Sequence, residues 1–122
     1  MKDLNLALEI LPAQIAEMTE KENTAYANMI IAHERYKQER AKMYLILKAK
    51  GGATIRDIDY TLDCDNTICA IKDTELQAEI LYRSYRMKKE QYYSEFQAAM
   101  EQARNIRKEL STLNNTVFED KK

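Results

Sequence analysis

The side chains that could do chemistry are few, and none stands in a complete catalytic or metal-binding pattern. His33 is the only histidine, and the run His33-Glu34-Arg35 lacks the second histidine with which a helical zinc protease motif grips its metal. We therefore predict that His33 lies on a helix surface or at the edge of a packed seam. We also predict that the chain is not an enzyme and holds no metal or other cofactor.

Acidic and thiol side chains gather around residue 65. Asp63 and Asp65 resemble the start of a calcium-binding loop, but Ile68 stands where such a loop needs glycine. Helix capping explains these acids better, so one of the two is predicted to cap a helix. Cys64 and Cys69 have no nearby histidine and cannot close a four-ligand zinc site, so we predict that they are reduced and buried.

Charge is arranged in blocks, although the net charge is only -1. Residues 35–56 carry seven basic and one acidic side chain, residues 57–81 one basic and seven acidic, and residues 82–89 four basic and none acidic. The acidic block predicts an acidic tip suited to a basic partner, formed by Asp57, Asp59, Asp63 and Asp65. The basic blocks predict a band that could follow a phosphate backbone, with contacts from Arg35, Arg40, Lys42, Arg83, Arg86 and Lys88.

These side chains must be positioned by helices, because apolar residues recur at steps of three and four on both sides of Gly51-Gly52. The first stripe contains Ile15, Met18, Ala25, Met29, Ala32, Tyr36, Met43 and Ile46. The second contains Ala78, Tyr82, Tyr85, Tyr92, Phe96, Ala99, Ala103, Ile106, Leu110, Leu113 and Val117. We predict a single all-α domain over residues 1–122, a long antiparallel coiled-coil-like helical hairpin with a short helix at the bend, completed by dimerisation.

Residues that start or end helices give the bounds of these elements. Pro12 suits the first turn of a helix, Gly51 suits a left-handed C-terminal cap, and Thr54 with Asp57 resembles a capping box. The predicted elements are a short helix at 3–11, a long helix at 12–49, a short helix at 55–62, a long helix at 66–113 and a frayed tail at 114–122.

Antiparallel pairing of the two stripes predicts which residues meet. It would place Met43 near Tyr82 and Ile15 near Leu110. Four apolar side chains would then point away from the seam, and such adjacent pairs are typical of a surface that packs against another helix or subunit. We predict a partner or homodimer surface formed by Ile30, Ile31, Tyr44 and Leu45.

Three segments, Glu39–Leu45, Thr54–Ile58 and Glu79–Arg83, resemble the small all-helical proteins that bacteriophages encode in their early and recombination gene clusters. The resemblance implies an accessory factor of the host cytoplasm that helps replication or recombination, or inhibits host defence. It carries over no site residue.

The expected location and partners follow from composition. No apolar run approaches the roughly 18 residues of a transmembrane helix, so we predict a cytoplasmic protein without membrane contact. The leading predicted function is a protein-interaction module with no small-molecule substrate. The alternative is an accessory protein that binds single-stranded nucleic acid through the basic band.

Overall fold

The structure, a computed structural model, describes residues 2–120 and the side chains of residues 3–114. These residues form α1 (Lys2–Lys50), α2 (Ile55–Cys64) and α3 (Asn66–Asp120). The two long helices, α1 and α3, pack against each other, so the predicted all-helical hairpin is confirmed.

The chain divides into two packed units. The central unit is Glu20–Arg86, and the terminal unit combines the described residues up to Thr19 with those from Met87 onward. In the central unit the rings of Tyr26 and Tyr82 lie 5.2 Å apart between centroids, with their planes tilted by 52°. Each unit therefore has its own contacts.

The core of the terminal unit is made by Leu11, Met18 and Ala99, which are 6 %, 7 % and 7 % exposed. Leu11 and Met18 are one heptad apart, so they lie on the same side of α1. The small side chain of Ala99 allows α3 to approach α1 closely in this unit.

The bend forms as the sequence predicts. Gly51 and Gly52 have φ angles of 75° and 79°, which glycine adopts without steric cost, and the Gly51 amide donates to the Lys48 carbonyl at 3.2 Å. The predicted capping box is present, because the Thr54 hydroxyl accepts from the Asp57 amide and the Asp57 carboxylate accepts from the Thr54 amide. Both caps are confirmed.

Asp65 separates α2 from α3. Its amide donates to the Leu62 carbonyl at 3.2 Å and ends α2, while its carboxylate accepts from the Ile68 amide at 2.9 Å and caps the start of α3. The prediction that Asp63 or Asp65 caps a helix is confirmed for Asp65.

The structure joins elements that the sequence separates. Helix α1 runs through Pro12 without a break, whereas separate helices at 3–11 and 12–49 were predicted. Proline removes one hydrogen bond, to the Leu8 carbonyl, but burial of Leu11 and Met18 on either side holds the helix together.

Helix α3 likewise extends past the predicted end at residue 113 to Asp120. The chain has no glycine or proline after Gly52, so nothing in its sequence forces an earlier stop. The side chain of Val117, assigned to the second stripe, lies outside the described residues, as do Lys121 and Lys122.

Three residues predicted in the seam lie outside it. Ile46 is 53 % exposed, and Leu47 packs against the core in its place. The prediction assumed a strict seven-residue repeat, whereas a straight α-helix drifts by about 20° per heptad, enough to bring the next position inward after several heptads. Leu110 and Leu113 are also exposed, at 54 % and 60 %, beyond the last buried position of α3 at Ala99.

The predicted pairing of the stripes is wrong. Tyr82 lies against Tyr26 instead of Met43, almost five helical turns away along α1 at about 3.6 residues per turn. Ile15 lines a groove with Lys89 and Tyr93, and Leu110 is not among the lining residues. The reason is that α2 lies along α1 and occupies the positions that the prediction gave to the second long helix.

Candidate interaction surface

The surface begins where α2 packs on the end of α1. Ile58, Leu62 and Ile68 form a small core, with Leu62 fully buried. Four half-buried side chains of α1 pack around it: Tyr36, Met43, Tyr44 and Leu47. Tyr44 was predicted to point fully outward, but it is half-buried, with one side against this core and another side open.

Arg40 holds α2 from the side of α1. Its Nη1 donates to Asp63 Oδ1 at 2.9 Å, and its Nη2 lies 3.5 Å from Asp59 Oδ1. Partial burial lowers the pKa of Arg40, but the hydrogen bond and charge of Asp63 and the nearby Tyr36 outweigh that effect and raise the pKa overall. Arg40 is thus charged and oriented toward the acidic helix.

The four acids of the predicted acidic tip therefore have structural roles. Asp57 caps α2 and Asp65 caps α3, whereas Asp59 and Asp63 pair with Arg40. The side chains of Asp59 and Asp63 stay 51 % and 66 % exposed. The acidic block lies beside the basic block of α1, so the two neutralise part of each other's charge.

The structure does not assemble the predicted basic band. Arg83 pairs with Glu79 at 2.6 Å, and it follows Tyr82, which lies against Tyr26. Arg35 follows Tyr26 by nine positions, a rise of about 14 Å along α1. Arg40 is engaged by α2, and Lys42 pairs with Glu39 of its own helix at 3.6 Å. Arg86 and Lys88 are exposed on α3.

A buried carboxylate joins α1 to α3 in the central unit. His33 Nδ1 donates to Glu75 Oε1 at 2.5 Å, and Lys72 Nζ lies 3.5 Å from Glu75 Oε2. The same ammonium group lies 4.6 Å from the centre of the Tyr36 ring. The predicted seam-edge position of His33 is confirmed, since its side chain is 49 % exposed.

The environment of Glu75 favours its charged form. The hydrogen bond from His33 lowers the pKa of Glu75, burial opposes this effect, and the charge of Lys72 supports it. Sequence reasoning missed this residue. The signal was available, because Ile68, Glu75 and Tyr82 follow one another at steps of seven and extend the seam toward the start of α3.

The two thiols are not buried. Cys64 and Cys69 are both exposed, and Cys69 Sγ lies 3.2 Å from the Asp63 carbonyl oxygen. The prediction of buried thiols is wrong because the helix break at Asp65 turns the chain here, and Ile68 fills the core instead.

Large apolar side chains lie exposed on the outside of the central unit. Ile31 and Leu45 are 66 % and 64 % exposed, and Ile30 is 44 % exposed, as predicted. The structure adds others that sequence reasoning missed, among them Ile46 on α1, Tyr60 on α2, and Leu76, Ile80 and Leu81 on α3.

Other classes of site receive no support in the part of the chain that the structure describes. No group of three or more His, Cys, Asp or Glu side chains there could hold a metal ion. None of the described helices is long and apolar enough to cross a membrane. No protein-family model, curated protein or solved structure matches this chain.

Proposed function

We propose that this chain is a non-enzymatic helical module that works by binding a protein partner. The observation that carries the proposal is the row of exposed apolar side chains on α1 of the central unit, with Ile31 and Leu45 about two thirds exposed. Leaving such side chains in water forgoes about 25 cal/mol for each Å² of apolar surface that a partner could cover.

Among the described residues, nothing packs over Ile31 and Leu45 that would explain why they are apolar. The seam of the central unit is already filled by other side chains, including the buried Ala25 and Ile71. Ile31 and Leu45 lie two heptads apart and therefore share one face of α1. A shared face of this kind is typical of a surface that packs against another helix.

Nucleic-acid binding is less well supported. Binding to a phosphate backbone needs several cations in a row along the protein surface. Arg83 lies well away from Arg35 and Lys42 along the helices. Arg40 and Arg83 are each paired with carboxylates at hydrogen-bonding distance. The accessory role on single-stranded nucleic acid stays the alternative prediction.

We also propose an origin, a location and an oligomeric state for the module. A phage origin, a role as an inhibitor of host defence and a cytoplasmic location rest on the resemblance and on composition. The homodimer rests on Ile30, Ile31, Tyr44 and Leu45. Light scattering would measure its mass in solution, and a monomer mass across the concentration range would contradict the homodimer.

Capture of a partner from host-cell lysate tests the proposal. The immobilised chain is compared with Ile31→Asp and with the matched control Gln38→Asp, which changes an exposed polar residue on the same helix. We expect a specific protein on the wild type and on the control, at least about tenfold less on Ile31→Asp, and no change after nuclease treatment. A partner released by nuclease, or no specific protein at all, would overturn the proposal.

A further inference from the structure

An open groove of about 420 Å³ runs along the outside of α1 in the central unit. It combines aromatic, aliphatic and cationic side chains over about three helical turns. Its lining residues are Tyr36, Lys37, Arg40, Ala41, Tyr44 and Leu45. A groove of about three helical turns suits a helix laid along it, since a row of side chains on one helix forms a groove into which those of another helix pack.

The chain itself shows what kind of helix these residues accept. Helix α2 packs on Tyr36 and Tyr44 through Ile58 and Leu62, and it directs Asp59 and Asp63 at Arg40. It is thus a short amphipathic helix with carboxylates beside its apolar face. Three of the six residues that line the groove, Tyr36, Arg40 and Tyr44, also contact α2. The open groove therefore offers aromatic and cationic side chains of the kind that bind α2.

The charge of the groove is not fully matched within the chain. Residues 35–50 carry six basic side chains and one acidic side chain. The acids of α2 engage Arg40, but Lys37 makes no ion pair among the described residues and is exposed. The surplus positive charge beside Tyr44 and Leu45 favours an acidic occupant, because opposite charge at the rim adds to apolar burial at the centre.

We propose that this groove binds an acidic amphipathic α-helix of a partner protein. The apolar residues of that helix, spaced by three and four, cover Tyr44 and Leu45, while its carboxylates pair with Lys37 and share Arg40 with α2. The inference rests on the proposed function and specifies the chemistry of the partner.

A second copy of the chain does not provide this helix from α2. Ile58 and Leu62 are 3 % and 0 % exposed, so the apolar face of α2 is already buried against its own α1. Presenting that face to another molecule would require α2 to leave its core. A helix from a different protein carries no such cost.

The test uses a defined probe. A fluorescein-labelled peptide of about 18 residues, five helical turns, carries leucine at steps of three and four with glutamate between them. Its binding to the whole chain is followed by fluorescence anisotropy. We expect saturable binding that weakens with salt, because charge contributes to it, and a matched peptide with glutamine for glutamate should bind at least about tenfold more weakly.

Two variants locate the binding on the groove. Lys37→Glu and Leu45→Asp should each weaken the acidic peptide by at least about tenfold, since one reverses the rim charge and the other removes apolar cover. The matched control Lys108→Glu makes the same change of charge on an exposed residue of the terminal unit and should stay within about twofold. Far-ultraviolet circular dichroism confirms that the variants keep the helical content of the wild type.

Several outcomes would overturn the groove assignment. These are failure of the acidic peptide to bind, equal binding of the glutamine peptide, and equal weakening by Lys108→Glu and Lys37→Glu. They are separable from failure of the proposed function, which is read from lysate capture with Ile31→Asp. A captured partner whose binding ignores Lys37→Glu would leave the interaction module standing and remove only this groove.

Discussion

The central and terminal units differ in the side chains that lie between their helices. In the central unit, polar side chains reach between elements, as His33 does to Glu75 and Arg40 does to Asp63. In the terminal unit, the buried side chains among the described residues are those of Leu11, Met18 and Ala99, and all three are apolar. Directional contacts allow few alternative alignments, whereas apolar contacts between regular helices allow several.

Polar contacts decide the alignment of two helices that carry heptad stripes. A heptad stripe fits another stripe in many positions that differ by seven residues, because each position buries a similar set of apolar side chains. His33 and Glu75 can meet in only one of them. The contact between His33 and Glu75 therefore selects one pairing of the helices within the central unit, and three changes test the contrast between the units.

The largest effect is expected from Leu62→Ala in the central unit. Leu62 is 0 % exposed, and its removal leaves a cavity under α2, so the free energy of unfolding should fall by about 3 kcal/mol. Urea unfolding followed by circular dichroism measures the change. The control Leu113→Ala, at a residue 60 % exposed, should stay within about 0.5 kcal/mol. Equal losses in the two variants would mean that α2 does not pack as described.

In the terminal unit, Pro12→Ala should stabilise the chain. An interior proline costs a helix about 3 kcal/mol, and alanine restores the hydrogen bond to the Leu8 carbonyl, so we expect the free energy of unfolding to rise by about 2 kcal/mol. Thermal and urea unfolding measure the gain, with Asn5→Ala on the same helix as a control worth a few tenths of a kcal/mol. No gain would instead support a helix that begins at Pro12, where proline is favourable.

The smallest effect is expected from Glu75→Gln, which should cost about 1.5 kcal/mol at pH 7 by weakening the bond to His33 and the ion pair with Lys72. Because the pKa of Glu75 is lowered in the folded chain, its contribution is complete above its ordinary value of 4.5 and is lost as the pH falls below that value.

The pH dependence gives this prediction its check. Urea unfolding of wild type and variant at pH 7 and near pH 3 should show a difference that shrinks at low pH. Glu79→Gln, at a half-exposed residue paired with Arg83, serves as the control with little effect. A difference that stays constant with pH would contradict the role assigned to the Glu75 carboxylate.

Much of the local structure could be predicted because its causes are local. The caps at Thr54 and Asp65 and the turn at Gly51 depend on a few neighbouring residues. The candidate surface was predictable in part for the same reason: Ile31 and Leu45 stand off the stripe in the sequence and off the seam in the structure.

The groove and the polar contacts could not be predicted, since they depend on residues that the pairing brings together. Arg40 was assigned to a nucleic-acid band, and the structure places Asp63 against it. The sequence put α2 at the bend with its acids as an exposed tip, and it did not predict that Asp59 and Asp63 pair with Arg40. A one-position drift near Ile46 also exposed that residue and turned Leu47 toward the core.

The sequence by itself determined that this chain is helical, where it bends, and that large apolar residues remain on the outside of α1. It did so because helix periodicity, caps and glycine turns are set by interactions over a few residues. Only the tertiary structure decided which residues of α1 and α3 face each other, and that α2 neutralises part of the basic block. Apolar burial is nearly equal for several alignments of two long stripes, so a few polar contacts between distant residues select one of them.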